Sequence, residues 1–130
     1  MKSNNKPHGD FKVGWSLISE NIVTLHNIGA WNIQTAQECT EEIERASSIF
    51  VESGQKWALF NDLREWELCP PDVTELFKEK MHYFCNKNLM WVAVIPNNSI
   101  QKMLSEKVAD SNQLPNLSMR YFTDEDEALT

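Results

Sequence analysis

The seven residues "LMWVAVI", Leu89–Ile95, are apolar without a break. No other uninterrupted apolar run in the chain is longer, and it is still far short of the roughly 20 residues a membrane-spanning helix needs. A strand of this composition has no side to give to water. It reads as buried on both faces, which is the environment of a parallel strand in a sheet covered by helices. That one stretch directs the rest of the reading toward an α/β fold.

The flanking sequence fits such a sheet. Phe11–Ile18, "FKVGWSLI", and Asn21–Gly29, "NIVTLHNIG", read as two strands joined by a short turn at Ser19-Glu20. Their partial alternation, with Val13, Trp15 and Leu17 on one side, predicts an antiparallel hairpin. Ala36, Cys39, Ile43, Ala46 and Phe50 then recur at helical spacing, with Asn32 placed to cap the start and Gly54 to stop the end. "KWALF" is the next strand. A second helix starts near Pro71-Asp72, where Asp72 and Glu75 have capping-box spacing. Its apolar stripe is Val73, Leu76, Phe77, Met81 and Phe84, and Asn86 to Asn88 ends it.

After "LMWVAVI", Asn98 or Ser99 is placed to cap a third helix carrying Ile100, Met103, Leu104 and Val108. Pro115-Asn116 leads into a strand, "LSMRYF", and Thr123 caps a short fourth helix whose acids suit its positive end. The expected architecture is a mixed four- to five-stranded sheet, with an N-terminal antiparallel hairpin, then parallel βαβ units, packed with about four helices. At 130 residues this is one domain, covering 11–130 and preceded by a flexible tail over 1–10.

Charge and cysteine usage narrow the function. A formal net charge of −7 opposes general nucleic-acid binding and docking on anionic lipid. The opening "MKSNNKPHGD" has no apolar stretch and is not expected to be a secretory signal. The cysteines Cys39, Cys69 and Cys85 form no Cys-x-x-Cys pair, and the three histidines show no zinc spacing. Reduced thiols, a cytoplasmic location, no metal and no cofactor are the expectations.

In a parallel sheet, ligands bind beyond the carboxyl ends of the strands. Three loops should meet there: Gly29-Ala30-Trp31-Asn32, Asn61 to Trp66, and Pro96-Asn97-Asn98-Ser99. Each feeds a helix N-terminus with free backbone N–H groups. The candidate binding residues are Trp31, Asn32, Asp62, Arg64, Trp66, Asn97 and Asn98. The tryptophans would supply apolar walls and Arg64 a fork for a carboxylate or phosphate. Asp62 and Arg64, two apart, would both point to the loop edge, and Trp66, following with the same step, would cover the apolar core beneath them. A structural reading stands beside the functional one at every position. Asn32, Asp72 and Asn98 are sufficient as caps, Asp62 and Arg64 as a mutual pair, and the tryptophans as seals on the core edge.

Catalysis has less support. Cys69 has no evident base, with His82 over three turns along the next helix and His26 within a strand. Asp62 and Glu65 form a carboxylate pair of unfixed separation. Four glycines, at 9, 14, 29 and 54, leave no glycine-rich phosphate loop.

"WALFNDLREWE", "LMWVAVIPNNSIQKML" and "MRYFTDEDEAL", in this order, resemble the SpoIIAA-like branch of the STAS superfamily. The resemblance covers roughly Phe11 to Leu129. That superfamily includes bacterial anti-sigma-factor antagonists and the cytoplasmic tails of sulfate transporters, with a distant likeness to lipid carriers. It implies a four- or five-stranded STAS-like sheet and a bacterial regulatory role more than catalysis. One departure matters. The antagonists carry an Asp-Ser-Ser-Gly-like stretch where this chain reads "LREWELCPPDVTE", and no serine occurs between Ser53 and Ser99. The phosphoserine switch is therefore not carried over.

The leading expectation is a non-enzymatic domain that binds a partner protein, with a homodimer allowed by apolar residues on the second helix. The alternative is a module for a small apolar or amphipathic ligand, and the last an enzyme using Asp62, Arg64 or Cys69. A closed pocket against the second helix would favour the ligand, and a flat exposed apolar patch the partner protein.

Overall fold

The computed structural model describes residues 9–16, 21–67, 70–96 and 117–122. Its elements are β1 (Asp10–Trp15), β2 (Ile22–Gly29), α1 (Ile33–Glu52), β3 (Trp57–Trp66), α2 (Pro71–Cys85), β4 (Leu89–Ile95) and β5 (Ser118–Tyr121). The third and fourth helices expected from the sequence lie outside the described residues, as do Asn97, Asn98 and Cys69. Two helices are present among those described.

The five strands form one sheet in sequential order. β1 and β2 pair antiparallel, and β2, β3, β4 and β5 follow in parallel. Both described crossovers step in the same direction across the sheet. With the usual right-handed connection, that places α1 and α2 on the same face. Val23, Leu25, Leu59, Val92 and Val94 point to that face and join one buried cluster with both helices.

Local chemistry accounts for the helix ends. Asn32 Oδ1 accepts from the Thr35 backbone N–H at 3.0 Å, closing the α1 N-terminus. At the other end Gly54 takes φ +70°, so that Gln55 N–H reaches the Phe50 carbonyl at 2.8 Å and Gly54 N–H reaches Val51 at 3.1 Å. This paired arrangement satisfies carbonyls that the last turn would otherwise leave open. All five residues of the α1 stripe, Ala36 to Phe50, are buried.

Helix α2 differs from expectation in its cap. Pro70 is the N-cap, Pro71 the first helical residue, and no side chain caps the end. Asp72 therefore sits inside the first turn and makes no capping box. The cause is Pro71, whose fixed φ suits the first helical position and which has no N–H to satisfy. Asp72 there acts on the helix dipole. The α2 stripe is also less deeply buried than the spacing suggested. Val73 and Phe84 are inaccessible, but Leu76, Phe77 and Met81 are only half-buried.

Strand β4 corrects the opening expectation of burial on both faces. Val92 and Val94 are covered by the helices, and Ile95 on the opposite face is buried too, but Trp91 on that face is 48% exposed. Neither described helix lies over it. The Trp57 indole, at the amino end of the central strand, packs on Phe84 of α2 and donates to the Lys87 carbonyl at 2.7 Å.

Candidate functional site

The carboxyl ends of β2, β3 and β4 lie side by side, with Gly29 paired to Trp66 and Asp62 to Ile95. The stretch Asn61 to Trp66, expected as a loop, is the last part of β3. It carries an irregularity. His26 pairs with Asp62 and Ile28 with Glu65, so two steps on β2 span three on β3. One residue is extra, which is a β-bulge. The bulge breaks strict alternation. Leu63 and Trp66, three apart, both face the core, whereas Arg64 and Glu65 are exposed. Trp66 thus covers the core, as expected, but from the side of the sheet opposite Asp62 and Arg64.

On the face opposite the helices the bulge gathers four ionisable groups. The Arg64 Nε donates to Asp62 Oδ1 at 3.0 Å and its Nη2 to Oδ2 at 2.7 Å. The Arg64 backbone N–H also reaches Asp62 Oδ1, at 3.0 Å. The His26 ring stands between two carboxylates, with Nδ1 3.4 Å from Asp62 Oδ2 and Nε2 bonded to Glu65. Burial alone would push the Asp62 carboxyl up. The hydrogen bonds and charge of Arg64, with His26 adding to them, outweigh burial and hold it below its ordinary value. Among the described residues no group of three or more His, Cys, Asp or Glu side chains is arranged to hold a metal ion.

The other candidates take different places. Trp31 is 2% exposed and Trp66 6%, and their rings meet edge to face at 5.8 Å. The Trp31 Nε1 donates to the carbonyls of Asp10 and Ile28 at 3.0 and 3.1 Å. Phe11 and Phe77 complete an aromatic cluster that closes this end of the core. Asn32 is the α1 cap. The proposed edge is thus split by the sheet, with Asp62 and Arg64 on one side and both tryptophans on the other.

Between the sheet and the helices lies a cavity of about 70 Å³ that opens partly to the surface. Leu25, Leu59 and Val94 of the sheet, Ile43 of α1, and Phe77 and Met81 of α2 are among the side chains of its wall. Phe77 and Met81, two of the half-buried residues of the α2 stripe, thus border a space instead of a packed layer. Two asparagines interrupt the apolar wall. Asn27 Nδ2 donates to Asn61 Oδ1 at 2.6 Å and to the Asp62 carbonyl at 2.9 Å. Lys80 and Thr40 also reach the cavity.

The sequence reading missed His26, Asn27 and Asn61. For the asparagines a signal was available. Val23, Leu25 and Asn27, and likewise Trp57, Leu59, Asn61 and Leu63, are alternating core positions, and only the asparagines are polar. A polar residue at a core position needs a partner or a purpose. For His26 no such signal exists, because its carboxylate neighbours are set by strand register.

No protein-family model matches the chain, and no curated protein matches it. Among solved structures the chain is similar to an uncharacterized protein of the DUF3478 family with a SpoIIAA-like fold, from Shewanella loihica PV-4. The match has a TM-score of 0.70 at 16% identity and covers 95% of this chain and 94% of that one. At such identity the likeness establishes architecture, and it agrees with the resemblance carried by the sequence motifs: this chain has a SpoIIAA-like fold.

Proposed function

We propose that the chain is a non-enzymatic binding domain that holds a small, largely apolar molecule between its sheet and its two helices. The observation that carries this reading is the cavity bounded by α1, α2 and the sheet, with its half-buried Phe77 and Met81. Apolar walls with a few placed polar groups are the usual make-up of a small-molecule site. A volume of about 70 Å³ suits a small body or the inner end of a longer one.

The ionisable cluster supports binding over catalysis. Asp62 is committed to Arg64, and both ring nitrogens of His26 face carboxylates. Among the described residues no serine, threonine or cysteine is hydrogen-bonded to His26, so the nucleophile–base pairing of covalent catalysis has no candidate there.

A second reading, a regulatory domain that binds a partner protein, draws on a different face. Trp91 stands 48% exposed beside Ala58, Ala93 and Phe122, in an apolar groove across β3, β4 and β5. Native mass spectrometry of the freshly purified protein tests the leading reading. The expected result is a species heavier than the bare chain by the mass of a small molecule, lost on organic extraction. A bare mass alone, with no rise in melting temperature from any small apolar probe, would count against it. The same spectrum reports the subunit number.

A further inference from the structure

We infer that the cavity selects an apolar molecule bearing a hydrogen-bond acceptor, of the carbonyl or carboxylate class, and that the Asn61 side-chain amide receives that oxygen. The inference rests on the binding reading above and adds to it the chemistry of the ligand.

The argument starts from the Asp62 backbone carbonyl, which can only accept. The Asn27 amide must therefore turn its NH₂ toward that carbonyl, as it does at 2.9 Å. The same NH₂ has a second hydrogen, and it points to the Asn61 side chain at 2.6 Å. Asn61 must answer with its oxygen. Its own NH₂ is then directed away from Asn27, and among the described residues no group accepts from it. Asn61 lines the cavity and is half-buried, so its two N–H groups border a space whose walls are mainly hydrocarbon. A fixed backbone acceptor thus sets the orientation of two amides in series and presents donors to the cavity.

Of two further polar groups in the wall, Lys80 favours the same ligand, whereas Thr40, its proton already given away, can only accept. The Thr40 hydroxyl gives its proton to the Gln37 carbonyl at 3.0 Å. Lys80 carries only donors, and its nearest carboxylate oxygen, on Glu44, is 3.8 Å away. An acceptor meets donors at Asn61, whereas a plain hydrocarbon would leave them unanswered. Sites built to hydrogen-bond a ligand discriminate strongly against the analogue that lacks the group.

Cyclohexanone and methylenecyclohexane test this. They have nearly the same shape and differ in an oxygen against a methylene. Each is titrated into the ¹⁵N-labelled full-length chain and followed by amide chemical shifts. The expected result is about tenfold tighter binding of the ketone, with the largest shifts at Asn27, Asn61 and their strand neighbours. Asn61→Asp keeps the oxygen that Asn27 donates to and removes the donors facing the cavity. It should abolish the ketone preference at neutral pH, so that the ratio of the two affinities no longer favours the ketone. Equal binding of both probes to the unmodified protein overturns the inference and leaves the cavity as a binding site. Failure of both to bind overturns the inference together with the reading beneath it. The comparison on the unmodified protein decides the matter even if the variant does not fold.

Discussion

Ile43→Ala probes both the core and the void beside it. Ile43 is 3% exposed, lies at the centre of the α1 stripe and touches the cavity. The substitution removes three aliphatic carbons, worth about 2.4 kcal/mol at roughly 0.8 kcal/mol each. In a tightly packed core a further cost follows, at about 24 cal/mol for each Å³ of new empty space, and totals reach about 5 kcal/mol. Ile43 already borders a cavity, so it has fewer packing partners to lose. The expected loss is therefore near the lower end, about 2–3 kcal/mol. Urea denaturation followed by tryptophan fluorescence measures it, with the slope checked for constancy. A loss under about 0.5 kcal/mol would mean that the stripe faces solvent. A loss above about 4 kcal/mol would mean that Ile43 is packed on all sides and no void adjoins it. The same variant enlarges the cavity, so larger apolar probes should raise its melting temperature more than that of the parent.

Three further outcomes follow from particular contacts. The Asp62 carboxyl has a folded-state pKa below its unfolded one, so between the two values the folded state binds fewer protons. Its contribution should be fully present above about pH 4 and fall as the pH drops through the folded value; melts from pH 7 to pH 2 should show a shallower loss in Asp62→Asn. Gly9→Ala should cost clearly more than Gly54→Ala by denaturant melt, although both glycines have positive φ. A Cβ on Gly9 would lie 2.5 Å from the Trp31 ring and 2.8 Å from the Ile28 carbonyl, whereas at Gly54 it meets nothing within 4 Å and costs only about 1 kcal/mol of backbone strain. Cys39 should resist a thiol reagent until the protein unfolds, because burial, with Glu42 adding to it, pushes its thiol up; rapid labelling of native Cys39, located by peptide mass, would refute its burial.

The parts of this fold that were legible in the sequence are those that local chemistry decides. The α1 stripe, its Asn32 cap and its Gly54 stop each depend on a few neighbouring residues, and each formed as the spacing indicated. The parallel order of β2, β3 and β4 followed from strands alternating with helices. Helix α2 starts where expected, but its cap is not Asp72, because two rules competed for adjacent residues. Asp72 has the chemistry of a cap, but Pro71 fits the first helical position better, and the cap fell two residues earlier, at Pro70.

The site was less legible because it depends on register and not on composition. One extra residue in β3 decides that Trp66 enters the aromatic cluster while Arg64 and Glu65 turn outward. No pattern in "FNDLREWE" announces that bulge. Without it, alternation would keep Trp66 on the side of Asp62 and take Glu65 away from His26. The bulge therefore does two things at once: it closes the end of the core with an indole, and it brings a second carboxylate to the histidine. Directly before it, the Asp62 carbonyl anchors Asn27, which in turn orients Asn61. The same few residues thus shape both faces of the sheet. A substitution that removed the bulge should disturb the ionisable cluster and the cavity together, whereas one confined to Arg64 should leave the asparagine pair in place.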